Sequence, residues 1–63
     1  MSALIMKHFK YGHLPENLQK ISRPFCELAA LVDAIEVTDH AEKATALRKL
    51  LEAKDAAVRM VLP

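Results

Sequence analysis

The apolar residues after residue 14 recur at intervals of three and four, which is the spacing of one face of an α-helix. Pro24 falls inside this pattern, where it cannot donate a backbone hydrogen bond and its ring crowds the preceding turn. Ser22 is placed to cap a helix that restarts at this point. We therefore predict a short helix near residues 15–22 and a main helix near residues 24–36. The apolar face of the two pieces consists of Leu18, Ile21, Phe25, Leu28, Val32 and Ile35.

A second helix is predicted to begin near His40. Asp39 and Glu42 have the spacing of a capping box, and the segment that follows is rich in Ala, Leu, Lys, Arg and Glu, which favour helices. The connection over residues 37–39 is so short that the two helices should be antiparallel. The expected fold is all-α: an N-terminal arm (residues 1–14), then the short helix and an antiparallel helical hairpin (residues 15–63), forming a single domain.

The second helix carries two apolar stripes, which cannot both face the same neighbour. We expect the first to pack on the main helix and the second, which is rich in alanine, to approach another copy of the chain. The alternative is one broad stripe covered by the arm residues Leu4, Ile5 and Phe9. The first stripe is Leu47, Leu51, Val58 and Val61; the second is Ala46, Leu50, Ala53, Ala57 and Met60.

Chain length also favours an oligomer. A chain of 63 residues whose only cysteine is Cys26 has no intrachain disulfide to stabilise a small core. Chains of this size commonly gain stability by pairing with copies of themselves. The longest charge-free stretches are far shorter than the roughly 18 residues that span a bilayer, and residues 1–6 lack the features of a secretory signal. We expect a soluble homo-oligomer in a reducing cytoplasm.

Positive charge is concentrated at the N-terminal end, although the whole chain has a net charge of only +1. Residues 1–24 contain four cations against Glu16 alone, whereas residues 25–63 contain five cations and seven anions. The near-neutral total argues against a nucleic-acid-binding protein with a uniformly basic surface. Direct binding of a nucleic-acid polymer by the basic arm is therefore a disfavoured hypothesis.

Within the arm, cations alternate with rings. If the arm is extended, Phe9 and Tyr11 point to one side and Lys10 to the other, with His13 two residues further along. Rings that stack on bases beside cations that bind phosphate are what a nucleotide ligand requires. The alternative is that Phe9 and Tyr11 only cover the open end of the hairpin.

Two further cations are candidate ligand-binding residues. The planar fork of Arg23 suits a phosphate. Lys54 lies in line with Leu51 and Val58, so it either extends from the edge of the apolar stripe to solvent or is held at a subunit junction for an anionic ligand. Catalytic and metal-binding motifs are lacking, and Cys26 is interpreted as a packing residue. We expect no enzyme activity, no cofactor and no metal.

Three short motifs resemble a known family. They are the arm motif Tyr11-Gly12-His13-Leu14-Pro15, the run Leu28-Ala29-Ala30-Leu31-Val32-Asp33, and the run Ala46-Leu47-Arg48-Lys49-Leu50-Leu51-Glu52-Ala53. Together they resemble the small helical-hairpin sponge proteins of phages, which counter the cyclic-oligonucleotide-based antiphage signalling system, CBASS. The likeness covers about residues 9–60.

The resemblance implies an assembly, typically a hexamer, that sequesters cyclic dinucleotides or trinucleotides without cleaving them. It assigns base stacking to Tyr11, and a ligand-binding role in the first helix to Arg23 or to its neighbour Ser22. In that case a two-fold junction between chains would supply one Tyr11 and one Arg23 from each subunit. The other hypothesis is a regulatory module whose alanine-rich stripe binds a helix of a partner protein.

Overall fold

The computed structural model describes residues 5–62, which form two long helices packed against each other, with a short 3-10 helix ahead of them. The 3-10 helix spans Lys7–Phe9; helix α1 spans Glu16–Ala34 and helix α2 spans His40–Arg59. The molecule is elongated, with dimensions of 41 × 18 × 16 Å. The predicted all-α helical hairpin is confirmed.

Helix α1 is continuous, so the predicted break into a short helix and a main helix is wrong. Pro24 lies in the interior of α1, and its side chain is exposed. The carbonyl of Lys20, which loses its donor, lies on the same exposed side, where water can satisfy it. Apolar residues before and after Pro24 pack on one partner helix, which holds the two halves in line. Ser22 therefore caps no second helix; it is fully buried inside α1.

Helix α2 begins where the sequence predicts. The side chain of Asp39 accepts a hydrogen bond from the Glu42 amide at 3.0 Å, so it caps the first turn. At the other end of the connection, Lys43 Nζ donates to the carbonyl of Ile35 at 3.2 Å and lies 3.9 Å from Asp33 Oδ1. These contacts tie the end of α1 to the start of α2.

The arm is not extended, because its middle forms the 3-10 helix. Its tail contains the bend that Gly12 suggests: the Leu14 amide donates to the Tyr11 carbonyl at 3.0 Å, closing a turn. Gln19 Nε2 then donates to the Leu14 carbonyl at 2.8 Å and fastens this turn to α1. The arm is thus fixed against the hairpin over residues 5–14.

The core lies where the arm meets both helices. Its fully buried apolar residues in the described range are Phe9, Ala29 and Leu47, one from each element. Ile5 packs against them, so the arm does cover part of the hairpin, as the second interpretation of the stripes expected. Leu4, the remaining residue of that interpretation, lies outside the described residues. The side chains that complete the cluster are Met6, Phe25, Cys26, Val32, Leu50 and Leu51.

A second apolar face of the hairpin stays uncovered. Leu28 and Ile35, which were expected to pack on α2, are about half exposed, as is Val61 beyond the end of α2. Leu31 is 67% exposed and Met60 is 73% exposed. Leu28 and Leu31 in α1 and its C-cap residue Ile35 recur at steps of three and four and so share one face of the helix, and an exposed apolar stripe of this kind is unusual on a small monomeric surface.

Candidate functional site: a cationic cavity beneath the arm

The space between the arm and the hairpin forms an open cavity of about 430 Å³. This volume is within the range of roughly 300–1,000 Å³ that is typical of small-ligand sites. Half of its lining comes from the arm and half from the two helices. The arm supplies Lys7, His8, Lys10, His13 and Leu14, and the helices supply Ser22, Lys54, Asp55, Val58 and Arg59.

Four cations and a single carboxylate line this cavity. Lys7 and Lys10 come from the arm, while Lys54 and Arg59 come from α2. The carboxylate, Asp55, has its Oδ1 atom 3.2 Å from Lys54 Nζ, so it offsets the charge of one cation only. The cavity therefore has an excess of positive charge, and clefts of one sign concentrate ligands of the opposite sign.

Ser22 contributes an unsatisfied polar atom to the same cavity. Ser22 is fully buried, and its Oγ atom has no hydrogen-bond partner among the described residues. A buried hydroxyl without a partner costs roughly 1–3 kcal/mol, so such groups call for an explanation. Because Ser22 is 0% exposed, a ligand oxygen in the cavity would become the partner of Ser22 Oγ only if the lining side chains shift to admit it.

Lys54 joins the two halves of the cavity. Its Nζ donates a hydrogen bond of 2.8 Å to the backbone carbonyl of His8, and its side chain is only 12% exposed. Because the two residues are 46 positions apart, this contact fixes the arm to the C-terminal part of α2. Of the two interpretations of Lys54, burial argues against a side chain that extends from the stripe edge to solvent.

Tyr11 and Arg23 lie together, but outside the cavity. They line a shallow pocket of about 220 Å³ with Glu16, Gln19 and Lys20. Arg23 Nε donates to Glu27 Oε1 at 2.9 Å, and both side chains are largely exposed. This hydrogen bond, together with the electrostatic influence of Tyr11, raises the pKa of Arg23 above its ordinary value. The pocket is too small to enclose a nucleotide, although it can support one edge of a ligand.

The two pockets lie on either side of the turn from Tyr11 to Leu14. His13 and Leu14 line the cavity, whereas Tyr11 lines the shallow pocket. On α1 the same division separates the neighbouring residues Ser22 and Arg23. A ligand longer than one phosphate could therefore reach both pockets.

The candidate residues from the sequence separate into three groups. Lys10, His13, Ser22 and Lys54 line the cavity; Tyr11 and Arg23 line the shallow pocket; Phe9 belongs to the core. Phe9 is 0% exposed, so its ring is not available to a ligand and its assignment as a binding residue is corrected. The assignment depended on an extended arm, in which Phe9 and Tyr11 would share a side.

Sequence reasoning missed Lys7, Asp55 and Arg59 as site residues. Lys7 was visible in the basic arm, and Arg59 follows Val58 on α2, but nothing in the pattern shows that the arm folds back over the end of α2. Asp55 and Arg59 are four residues apart and lie on one side of that helix. This spacing is the signal that a search for charged faces could have used.

Comparison of the chain with protein-family models, with curated proteins and with solved structures found no match. The interpretation of the two pockets therefore depends on the structure of this chain alone. Within residues 5–62, no three His, Cys, Asp or Glu side chains are grouped as a metal site would need. Neither long helix combines the length and the hydropathy that crossing a bilayer demands.

Proposed function

We propose that this protein binds and sequesters cyclic oligonucleotide second messengers, namely cyclic dinucleotides or trinucleotides, without cleaving them. In an infected bacterium this would act in the cytoplasm of the host and block CBASS immune signalling. The observation that carries the proposal is the cavity beneath the arm, whose lining includes four cations, a single carboxylate and the buried, unpartnered Ser22.

The cavity suits a phosphodiester better than a carboxylate or a neutral ligand. A phosphodiester presents two charged oxygens that accept hydrogen bonds, and cations on opposite walls can reach them from both sides. Ser22 Oγ can donate to one of these oxygens once the side chains that bury it shift to admit the ligand. The net positive charge of the lining would attract the ligand and would weaken with added salt.

The shallow pocket supplies what the cavity lacks, an aromatic ring for a base. Tyr11 lies at its edge and Arg23 remains protonated there, so a base could stack on the ring while a second phosphate contacts the guanidinium. The two pockets together thus match a ligand with more than one phosphate and at least one base. A free phosphate would occupy only the cavity.

Sequestration rather than turnover rests on the resemblance to the sponge proteins. His8 and His13 both line the cavity, and paired imidazoles can act as acid and base on a phosphodiester. Incubation of the protein with each candidate ligand, followed by chromatography, is therefore an essential part of the test. Linear products would contradict the proposal.

The proposal includes assembly of several copies, for which the resemblance suggests a hexamer. The chain exposes 4663 Å², whereas a folded monomer of 7.0 kDa exposes roughly 4,000 Å². The elongated shape of the molecule, 41 × 18 × 16 Å, exposes more surface than a compact monomer would and leaves room for contact with another copy. The exposed side chains Leu28, Leu31 and Ile35 are the surface that such an interface would use.

The decisive experiment is titration calorimetry with a panel of cyclic dinucleotides and trinucleotides. Arg59→Met removes a cavity cation and should weaken binding, while Arg48→Met removes an exposed arginine of the same helix that does not line the cavity. Tyr11→Leu should also weaken binding, because it removes the ring and keeps an apolar side chain. Absence of heat for every ligand, or equal affinity in all variants, would contradict the proposal.

The uncovered apolar face supports a second candidate function, a module that binds a helix of a partner protein. The same side chains that could pair two copies would then bind an amphipathic helix. Light scattering tests what covers this face. A purified chain that assembles with itself indicates another copy of the chain, whereas a chain that stays near 7.0 kDa leaves the face free for a partner helix.

A further inference from the structure

Lys54 differs from the other cavity cations because its ammonium group already has partners within the chain. It donates to the carbonyl of His8 at 2.8 Å and lies 3.2 Å from Asp55 Oδ1. An ammonium group has three donors, of which the His8 carbonyl uses one, so at most two remain for a ligand. The other three cavity cations, Lys7, Lys10 and Arg59, are exposed. Within residues 5–62 their side chains form no ion pair with a carboxylate.

Besides the packing of Ile5 and Met6, three contacts attach the arm to the hairpin. Phe9 is buried in the core, Gln19 Nε2 donates to the Leu14 carbonyl, and Lys54 Nζ donates to the His8 carbonyl. The first two hold the arm against the shared core and against α1. Within residues 5–62, the hydrogen bond from Lys54 Nζ to the His8 carbonyl is the side-chain hydrogen bond that joins the arm to α2. Both residues also line the cavity.

Half of the cavity lining belongs to the arm, so the cavity exists only while the arm is docked. A ligand that contacts both the arm cations and Arg59 stabilises the docked arm. By thermodynamic linkage, the free energy by which the ligand favours docking equals the free energy by which docking favours ligand binding. Whatever weakens docking must therefore weaken binding, even if it never touches the ligand.

We propose that Lys54 is a positioning residue that holds the arm over the cavity through the His8 carbonyl, so that anion binding and arm docking are coupled. The inference rests on the proposed function for the existence of an anion site, but it concerns how that site is built. Anion binding should tighten the arm, and loss of the Lys54 bond should loosen the arm in the free protein.

Tyr11 provides a probe without any labelling. It is the only tyrosine, the chain has no tryptophan, and Tyr11 lies in the arm two residues after Phe9. Its fluorescence anisotropy thus reports the mobility of the arm, and hydrogen exchange over residues 5–14 gives an independent measure on a slower timescale. Inorganic pyrophosphate serves as the anion, because it has no base and tests the cavity alone.

The key variant is Lys54→Met, which keeps the apolar stem and removes the ammonium group. We expect lower Tyr11 anisotropy and faster exchange in the free protein, and a fall of about tenfold or more in pyrophosphate affinity. Arg59→Met is the matched control: it removes one cavity cation and should weaken binding while leaving the free arm unchanged. Lys54→Arg can still donate to the His8 carbonyl and should restore both properties.

Several outcomes would overturn the inference. One is an unchanged arm in Lys54→Met with its helical circular dichroism intact; another is an arm that loosens while pyrophosphate affinity falls no further than in Arg59→Met. Failure of pyrophosphate to raise Tyr11 anisotropy in the wild-type protein would also overturn it. If pyrophosphate tightens the arm but no cyclic oligonucleotide binds, the proposed function fails and the coupling stands.

Discussion

The two sides of the hairpin differ in what covers them. On one side the arm folds back, buries Phe9 and closes a cavity lined by cations. On the other side Leu28, Leu31 and Ile35 remain exposed, with no element of the described chain over them. Two packed helices leave a groove on each side, and a single arm of this length covers only one groove.

Helix geometry places the exposed residues of both helices on the same side. Leu28 precedes the buried Ala29 by one residue, and Ala46 precedes the buried Leu47, so each is rotated by roughly 100° in the same sense. In an antiparallel pair, rotating a side chain of each helix away from the contact line by the same angle and in the same sense brings both side chains to the same side of the hairpin. Asp55 and Arg59 follow Lys54 and Val58 by one residue, which rotates them to the opposite side, where the cavity lies.

Under the proposed function, the two sides of the hairpin have separate tasks. The arm-covered side has charge, a buried hydroxyl and space for a ligand within a single chain. The open side has apolar side chains and small alanines, which suit another copy of the chain. A ligand site completed at a junction between copies, with one Tyr11 and one Arg23 from each, stays a prediction; the cavity itself needs no second chain.

The largest effect should come from opening the covered side. Phe9→Ala removes the fully buried ring that joins the arm to both helices, and we expect a loss of about 3–5 kcal/mol in the free energy of unfolding. Met60→Ala changes an exposed side chain and should shift stability by about 0.5 kcal/mol or less in dilute protein. Urea denaturation measures both. Similar losses in the two variants would mean that the arm does not belong to the core.

The open side is tested by placing a charge on it. Leu31→Glu should prevent self-association, because a carboxylate buried between copies is strongly destabilising. The neighbouring Ala30→Glu is the control, since Ala30 is exposed and is rotated away from this face. Light scattering should find the first variant monomeric and the second unchanged. Assembly by Leu31→Glu would locate the seam elsewhere.

Added salt should affect ligand binding and self-association differently, and by less than the substitutions above. Raising the salt concentration from about 0.05 M to 0.5 M should weaken ligand binding several-fold, because it screens the cavity cations. Self-association through the apolar face should stay unchanged or become tighter. Calorimetry and light scattering at both concentrations give the comparison. Ligand binding that is insensitive to salt would indicate a site other than the cationic cavity.

Ser22→Ala should change stability only slightly, and the sign of the change is informative. Removing a buried hydroxyl without a partner should raise the stability of the free protein by about 1 kcal/mol. The same change should weaken binding of the phosphate ligand, which loses a donor. Thermal unfolding with and without ligand measures both effects. If Ser22→Ala destabilises the free protein, the hydroxyl already has a partner and is not reserved for a ligand.

The sequence predicts local structure well where one residue determines it. Asp39 caps α2 because its side chain reaches an amide three residues ahead, and the bend near Gly12 is equally local. Pro24 misled the prediction because its local cost is outweighed by packing on both sides of it. The tolerance depends on its exposure, which the sequence does not state.

The candidate site could be predicted only in part, because it depends on contacts between distant positions. Lys10 and His13 were candidates from the pattern of rings and cations in the arm, and Ser22 was a candidate only through the family resemblance; all three line the cavity. These residues lie near Arg59 only because the arm folds back over the end of α2. That arrangement depends on contacts between distant positions, such as the hydrogen bond from Lys54 to His8, which spans 46 positions. The 3-10 helix also reversed the role of Phe9, since a tight turn directs its ring into the core.

The most direct test of the account is a map of where the ligand binds. Titration of the isotope-labelled protein with a cyclic dinucleotide should shift the backbone amide resonances of Ser22, Lys54 and Arg59 most, followed by that of Tyr11. Those of Leu28, Leu31 and Ile35 should stay in place. Shifts concentrated on the apolar face, with the cavity residues unmoved, would contradict the claim that the arm-covered side holds the ligand.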